Sequence, residues 1–228
     1  RLPVYPSSRS AADSAEFYAG TRENAMRAGM HDGLPEHIAV GIPFPVPDKG
    51  MQVIWNHLLR DRPAFGQRTF IQAFVQPNAR LLSHTIVQRF AHYWPVPVKK
   101  HPEEIPLASL LELTIVPQRL AGSVMMLRAT LNQAPKMWLR DAGALWLAKV
   151  TDAASGTSVL GAAGLLDVDQ LDGYLGPPGL YDWRLIGKEA RLVPYNAYKL
   201  DTDDLNATLT PRHMNADVLR YEIHRTWH

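Results

Sequence analysis

The hydrophobic period of the chain changes once, near residue 67, from helical to strand-like. Upstream, SAAD at residues 10–13 has the form of a capping-box start. SAEFYAGTRENAMRAG then predicts a helix over residues 14–28 that stops at Gly29. Pro35, Pro43, Pro45 and Pro47 fix the backbone of residues 30–47, so an extended connection is expected there. Asp48 is a favourable N-cap for a second helix, in which Met51, Ile54, Trp55, Leu58 and Leu59 recur at i, i+3, i+4, i+7 and i+8. That spacing makes one apolar stripe, with Gln52, Asn56, His57 and Arg60 on the other side, and Arg62-Pro63 ends it. A Pro-rich strip loses little entropy on ordering, so it is suited to lie on a surface and aim this helix.

Downstream the period is two. QRTFIQAFVQ, a turn at Pro77-Asn78 and ARLLSHTIVQRFAHYW predict a hairpin with a long second strand. LELTIVP, RLAGSVMMLRATL, PKMWLRD and GALWLAKV continue the pattern, with turns expected at Asn132 to Pro135 and at Asp141-Ala142-Gly143. No helix long enough for a parallel crossover separates these strands, so the sheet is expected to be antiparallel. Residues 151–180 are rich in Gly and Ala and predict a long loop with one helical turn near Asp167 to Leu175. Strand character returns in YDWRLIGKEARLVPYNAYKL and in VLRYEIHRTWH, whose alternation stops without a turn residue and leads us to expect a longer natural chain.

Composition narrows the function classes. The 228 residues suffice for one domain with a substantial core. With 24 basic and 22 acidic residues, there is no electrostatic footprint for nucleic acid. Cysteine is absent, which removes disulfides, thiolate nucleophiles and Cys-rich zinc sites. The longest uncharged stretch of note, Ala153 to Leu166, is too short and too rich in Gly and Ser to cross a bilayer.

His224 and His228 share a face of the last predicted strand but stand about 13 Å apart there, too far for one metal. DVDQLDG, residues 167–173, resembles a calcium loop, but its third Asp and its Gly each come one place late, so it reads as a solvated acidic turn. No Gly-x-Ser-x-Gly elbow, phosphate-binding loop or dinucleotide fingerprint occurs. Neither a catalytic constellation, a metal site nor a cofactor is assigned. What stands out is a surplus of large apolar side chains on strands that alternate on both faces, among them Met125, Met126, Met137, Trp138, Trp146 and Trp183. Such a sheet must be covered twice, or must leave one face to line a groove.

YAGTRENAMRAG, GIPFPVPDKGMQVIWNHLLR, LYDWRLIGKEARLVPYNAYKL and RHMNADVLRYEIHRTW, in this order, resemble a bacterial envelope family of outer-membrane lipoprotein-sorting-like proteins of unknown function. The resemblance implies a relation to LolA/LolB-type periplasmic carriers, in which a strongly curved antiparallel sheet forms an incomplete barrel lidded by helices. It further implies a periplasmic location, an apolar ligand such as an acyl chain, an association with RND-type exporters and outer-membrane proteins, and no enzymatic activity.

The expectation is therefore an α+β fold, a curved antiparallel β-sheet (LolA-like half-barrel) with a few helices packed on it. Residues 1–228 are expected to form a single such domain, a fragment lacking terminal strands. It would be a non-catalytic periplasmic carrier or chaperone for a lipid, a lipoprotein acyl chain or another hydrophobic ligand, serving an RND-type export system. Met125, Leu127, Trp138, Trp146 and Trp183 are expected to line the apolar face, with Trp55 plugging or lidding it and Asn56 and His57 bonding at the rim. The rivals are an interaction module of an export complex that holds no lipid, and a hydrolase using His and Asp across the cleft.

Overall fold

A computed structural model describes residues 12–78, 80–93, 104–150, 156–194 and 221–227. Helix α1, Ala15–Arg27, is capped by Ser14, whose Oγ accepts from the Phe17 amide at 3.1 Å. The cap thus falls after the predicted SAAD box, and Gly29 opens a strand instead of closing the helix. Strands β1 (Gly29–His31) and β2 (Leu34–Glu36) form a hairpin inside the stretch expected to be plain connection. Asp32 and Gly33 both have positive φ, 49° and 77°, as a two-residue turn of the type favoured by Asp-Gly requires.

The Pro-rich strip is held through asparagine side chains that imitate a strand partner. Asn24 on α1 accepts from the Ala39 amide at 2.7 Å and donates to the Ala39 and Ile42 carbonyls at 3.0 and 3.1 Å. Close approach is possible because Gly20 faces the strip: a Cβ there would meet the Val40 carbonyl oxygen at 1.9 Å. Helix α2, Gly50–Leu58, starts one residue later than expected, at the N-cap Lys49. Asn56 accepts from the Phe44 amide at 2.8 Å and donates to the Phe44 carbonyl at 2.7 Å. A proline-interrupted strip that cannot complete a backbone ladder is satisfied in this way from both sides.

The main sheet is an open antiparallel meander of six strands in sequential order. They are β3 (Phe65–Val75), β4 (Leu81–His92), β5 (Pro106–Val116), β6 (Val124–Thr130), β7 (Lys136–Arg140) and β8 (Ala148–Val150). The expected antiparallel α+β architecture is present, with two α-helices among the described residues. A second pair, β9 (Lys188–Pro194) and β10 (Tyr221–Trp227), is antiparallel with Ile223 opposite Leu192. Residues 1–9, Trp94 and His228 lie outside the described residues.

Register fixes which side chains share a face. One row runs Gly66, Phe90, Leu110, Leu127, Met137 and Val150; the next runs Arg68, Gln88, Glu112, Met125 and Leu139. This inner face is covered by α2 and by the irregular segment 156–183, whose 3-10 turns are Val168–Gln170 and Pro178–Leu180. Trp55 and Leu58 from α2 and Leu59 at its C-cap, with Val159, Ala162, Val168 and Leu175, bury Met125, Leu127, Ala129 and Met137. The outer face carries a row of Gln67, Arg89, Leu111, Met126 and Trp138, and there Leu111, Leu113 and Ile115 are exposed.

Candidate ligand-binding site

The inner face is not filled to its end. Over β3, β4 and the middle of β5 a cavity of about 570 Å³ remains between the sheet and residues 166–175. Its volume falls within the range of small-molecule sites, roughly 300–1,000 Å³. Phe70, Phe90, Leu110, Leu166, Leu171 and Leu175 are among its apolar lining residues; Arg68, Gln72, Gln88 and Glu112 are among its polar ones, which also include Arg60, Arg62 and Asp172 at the rim.

The polar residues form a cross-strand chain. Arg68 Nε donates to Gln88 Oε1 at 2.7 Å, and Gln88 Nε2 donates to Glu112 Oε1 at 2.6 Å. Each link joins directly opposed residues on neighbouring strands, so the register alone aligns them. Glu112 is only 6% exposed, and burial pushes its carboxyl above the usual carboxylate range despite the opposing effects of Gln88 and Arg68. The Arg68 guanidinium carbon lies 5.0 Å from the Phe70 ring centre and 5.9 Å from that of Phe90. Gly66 makes room for this stack: a Cβ there would meet the tip of the Phe90 ring at 2.6 Å. Gln72 Oε1 is buried against the cavity and has no hydrogen-bond partner among the described residues.

The rim joins the end of α2 to the covering segment. Arg60 Nη2 donates to Asp172 Oδ1 at 2.6 Å and Arg62 Nη1 donates to Asp172 Oδ2. Both arginines also donate to the His57 carbonyl, satisfying a last-turn oxygen of α2. His57 Nε2 lies 3.2 Å from the Tyr174 carbonyl, which can only accept. Burial, reinforced by Arg60, holds the His57 pKa below its ordinary value. Asn56 and His57 thus bond within the protein, to the Pro strip and to the covering segment. DVDQLDG is more than a solvated turn, because Asp172 ties it to two arginines and Asp169 accepts from Tyr181 Oη at 2.6 Å. Tyr174, whose hydroxyl burial pushes up to about 12, packs edge-on against Tyr181 and Trp183.

The residues expected to line the apolar face are distributed over three places. Met125, Leu127 and Trp55 sit together in the core, where Trp55 Nε1 donates to the Gly33 carbonyl at 2.8 Å. Trp183 is half-buried against that core, with Nε1 donating to the Pro178 carbonyl at 2.7 Å. Trp138 lies on the outer face opposite Met126, and Trp146 is 82% exposed in the turn between β7 and β8. None of the six lines the 570 Å³ cavity. Arg68, Phe70, Gln88, Phe90 and Glu112, which do, are not singled out by sequence reasoning. Their signal was a polar residue at an inward position on each of three consecutive strands, visible only once the register is known. Among the described residues no group of three His, Asp or Glu is placed to hold a metal ion.

Comparison with known proteins places the chain. It is 34% identical over 239 residues to Uncharacterized protein PA3922 of Pseudomonas aeruginosa, matching 100% of this chain and 52% of that one. The chain thus spans about half the length of that curated relative. Among crystal structures, an outer membrane lipoprotein-sorting protein domain from Vibrio parahaemolyticus superposes with a TM-score of 0.46 at 11% identity, over 64% of this chain and 55% of that one. A DUF1329 family protein from Desulfovibrio piger does so with a TM-score of 0.39 at 14% identity, over 59% and 53%. The family model described as "Protein of unknown function (DUF1329)" matches residues 1–228, and the chain belongs to that family.

Proposed function

We propose that the chain is a non-catalytic carrier of a hydrophobic ligand in the bacterial periplasm, with the ligand held between β3–β5 and residues 166–175. The observation that supports this reading is the 570 Å³ cavity, roofed by leucines and floored by two phenylalanines. An apolar chain entering it would gain about 0.8 kcal/mol for each methylene removed from water. The resemblance of four long motifs to envelope carriers supports the location and the association with an RND-type export system. Met125, Leu127 and Trp55 then act by stiffening the plugged half of the sheet, and Trp183 by seating the covering segment.

The test is ligand uptake. Delipidated protein incubated with a dodecyl-chain ligand and examined by native mass spectrometry is expected to take up one molecule per chain. Leu166→Trp, which fills the cavity from its half-buried roof, is expected to abolish uptake while keeping the melting transition. A folded protein that takes up nothing overturns the carrier reading. It would favour the rival docking module, which the exposed Leu111, Leu113 and Ile115 on the outer face support.

A further inference from the structure

We infer that the cavity recognises one end of its ligand: the open fork of Arg68 receives a single oxyanion, a carboxylate or phosphate monoester, at the head of a single-chain amphiphile. This rests on the carrier reading and assigns the chemistry of what is carried.

Three arginines line the cavity and only one is left open. Arg60 and Arg62 share the two oxygens of Asp172. Arg68 spends only Nε on the protein; its two terminal nitrogens have no partner among the described residues. The guanidinium is nonetheless held in place. Gln88 fixes its edge, Glu112 fixes Gln88, and the rings of Phe70 and Phe90 flank it. A planar fork with two parallel donors, oriented in advance and left unpaired beside an apolar surface, matches the geometry of a carboxylate or phosphate. Leu110, Leu171 and Leu175 belong to the same lining and offer apolar surface to the tail. Glu112 hydrogen-bonds to Gln88 and not to Arg68, on which its charge acts through space, so no bonded partner occupies the fork. Glu112 and Gln88 are positioning residues in this arrangement.

The experiment compares dodecanoate, dodecyl phosphate and dodecanol, which share a tail and differ in the head, by displacement of a fluorescent probe from the full chain and from Arg68→Met. Methionine keeps the apolar volume beside the two rings and removes the fork. The two anions are expected to bind the unaltered chain at least about tenfold more tightly than the alcohol, the yield of one charge-assisted pair. Arg68→Met is expected to reduce them to the level of dodecanol and to leave dodecanol unchanged. The ratio of dodecanoate to dodecyl phosphate then tells which oxyanion is preferred. Equal binding of all three heads by the unaltered chain overturns the inference while sparing the carrier reading, and so does an anion preference that survives Arg68→Met. Failure of all three to bind removes the carrier reading itself. If Arg68→Met loses its melting transition, the head comparison on the unaltered chain decides alone.

Discussion

Trp55 distinguishes a plug from a lid. It stands 1% exposed at the centre of α2, packed with Leu58 and Leu59, and its Nε1 reaches the Gly33 carbonyl at the tip of the β1–β2 hairpin. Trp55→Phe removes two ring carbons and the only donor of the side chain. Two buried carbons are worth about 1.5 kcal/mol at roughly 0.8 kcal/mol each. The hydrogen bond adds about 0.5–1.5 kcal/mol, at the lower end because the Gly33 carbonyl lies on the surface and can return to water. The expected loss is therefore about 2–3 kcal/mol, against about 3–5 kcal/mol for Trp55→Ala. Urea unfolding followed by far-ultraviolet circular dichroism measures it, provided the slope is unchanged between variants. Hydrogen exchange supplies the local half of the test, since amides of residues 29–36 should lose more protection than the global change explains. A helix that swings as a lid would tolerate phenylalanine within about 0.5 kcal/mol. A cost that small, or a hairpin whose exchange is unaffected, would refute the assignment of α2 as a fixed plug.

Two further perturbations bear on the rim and the buried acid. Asp172→Asn keeps the side-chain shape and tolerates the positive φ of 57° at that position, so its effect reports the charge. Because Asp172 is 39% exposed, a loss of about 1–2 kcal/mol is expected in urea unfolding, short of the cost of breaking a fully buried pair, and an unchanged midpoint would rule out a structural role for the shared fork. Glu112→Gln tests the buried carboxyl through pH. The folded pKa of Glu112 is raised above 4.5, so between that value and the higher folded one the unfolded chain ionises first and the unaltered protein loses stability as pH rises. Relative to it, Glu112→Gln should gain stability across that window and hold the gain above it. Unfolding midpoints of both proteins from acid to neutral pH check this, and a difference that does not change with pH would contradict the sign.

Local sequence and tertiary register differ in how much they reveal here. The stripe Met51, Ile54, Trp55, Leu58, Leu59 needs only a 3.6-residue period, and α2 follows it within a residue or two. The strands needed only alternation, and their short turns forced neighbours to pair antiparallel. The β1–β2 hairpin was equally legible, since Asp32-Gly33 between short extended runs is a strong turn signal, but the surrounding prolines masked it. The N-cap of α1 went to Ser14 because its hydroxyl reaches the Phe17 amide, a competition between nearby polar residues that spacing does not decide. For the site the limit was different. Alternation says that Arg68, Gln88 and Glu112 each face one way, but not that they stand side by side. That follows from which residue opposes which, and a slip of one position would have sent each to the other face. Large apolar side chains were therefore the visible candidates, yet size is what lets Met125, Leu127 and Trp55 fill the core.

The position of the cavity follows from the same row. Over β6 and β7 the inner face offers Met125, Leu127, Ala129 and Met137, which α2 and the leucines and valines of the covering segment can bury with no polar cost. Moving toward β3, the face changes to Glu112, Gln88 and Arg68. An apolar cover drawn down onto that row would strip water from a guanidinium whose fork has no partner, a cost greater than the contacts would return. Close packing therefore stops where the polar row begins, and the leucine roof stands off from the two phenylalanines beneath it. A molecule with an apolar body and one anionic end removes that conflict, because it covers the phenylalanines and pairs the arginine in a single step. The gap in the packing and the unpaired fork are in this sense one feature, produced by placing a charged residue on the inward side of an otherwise oily sheet.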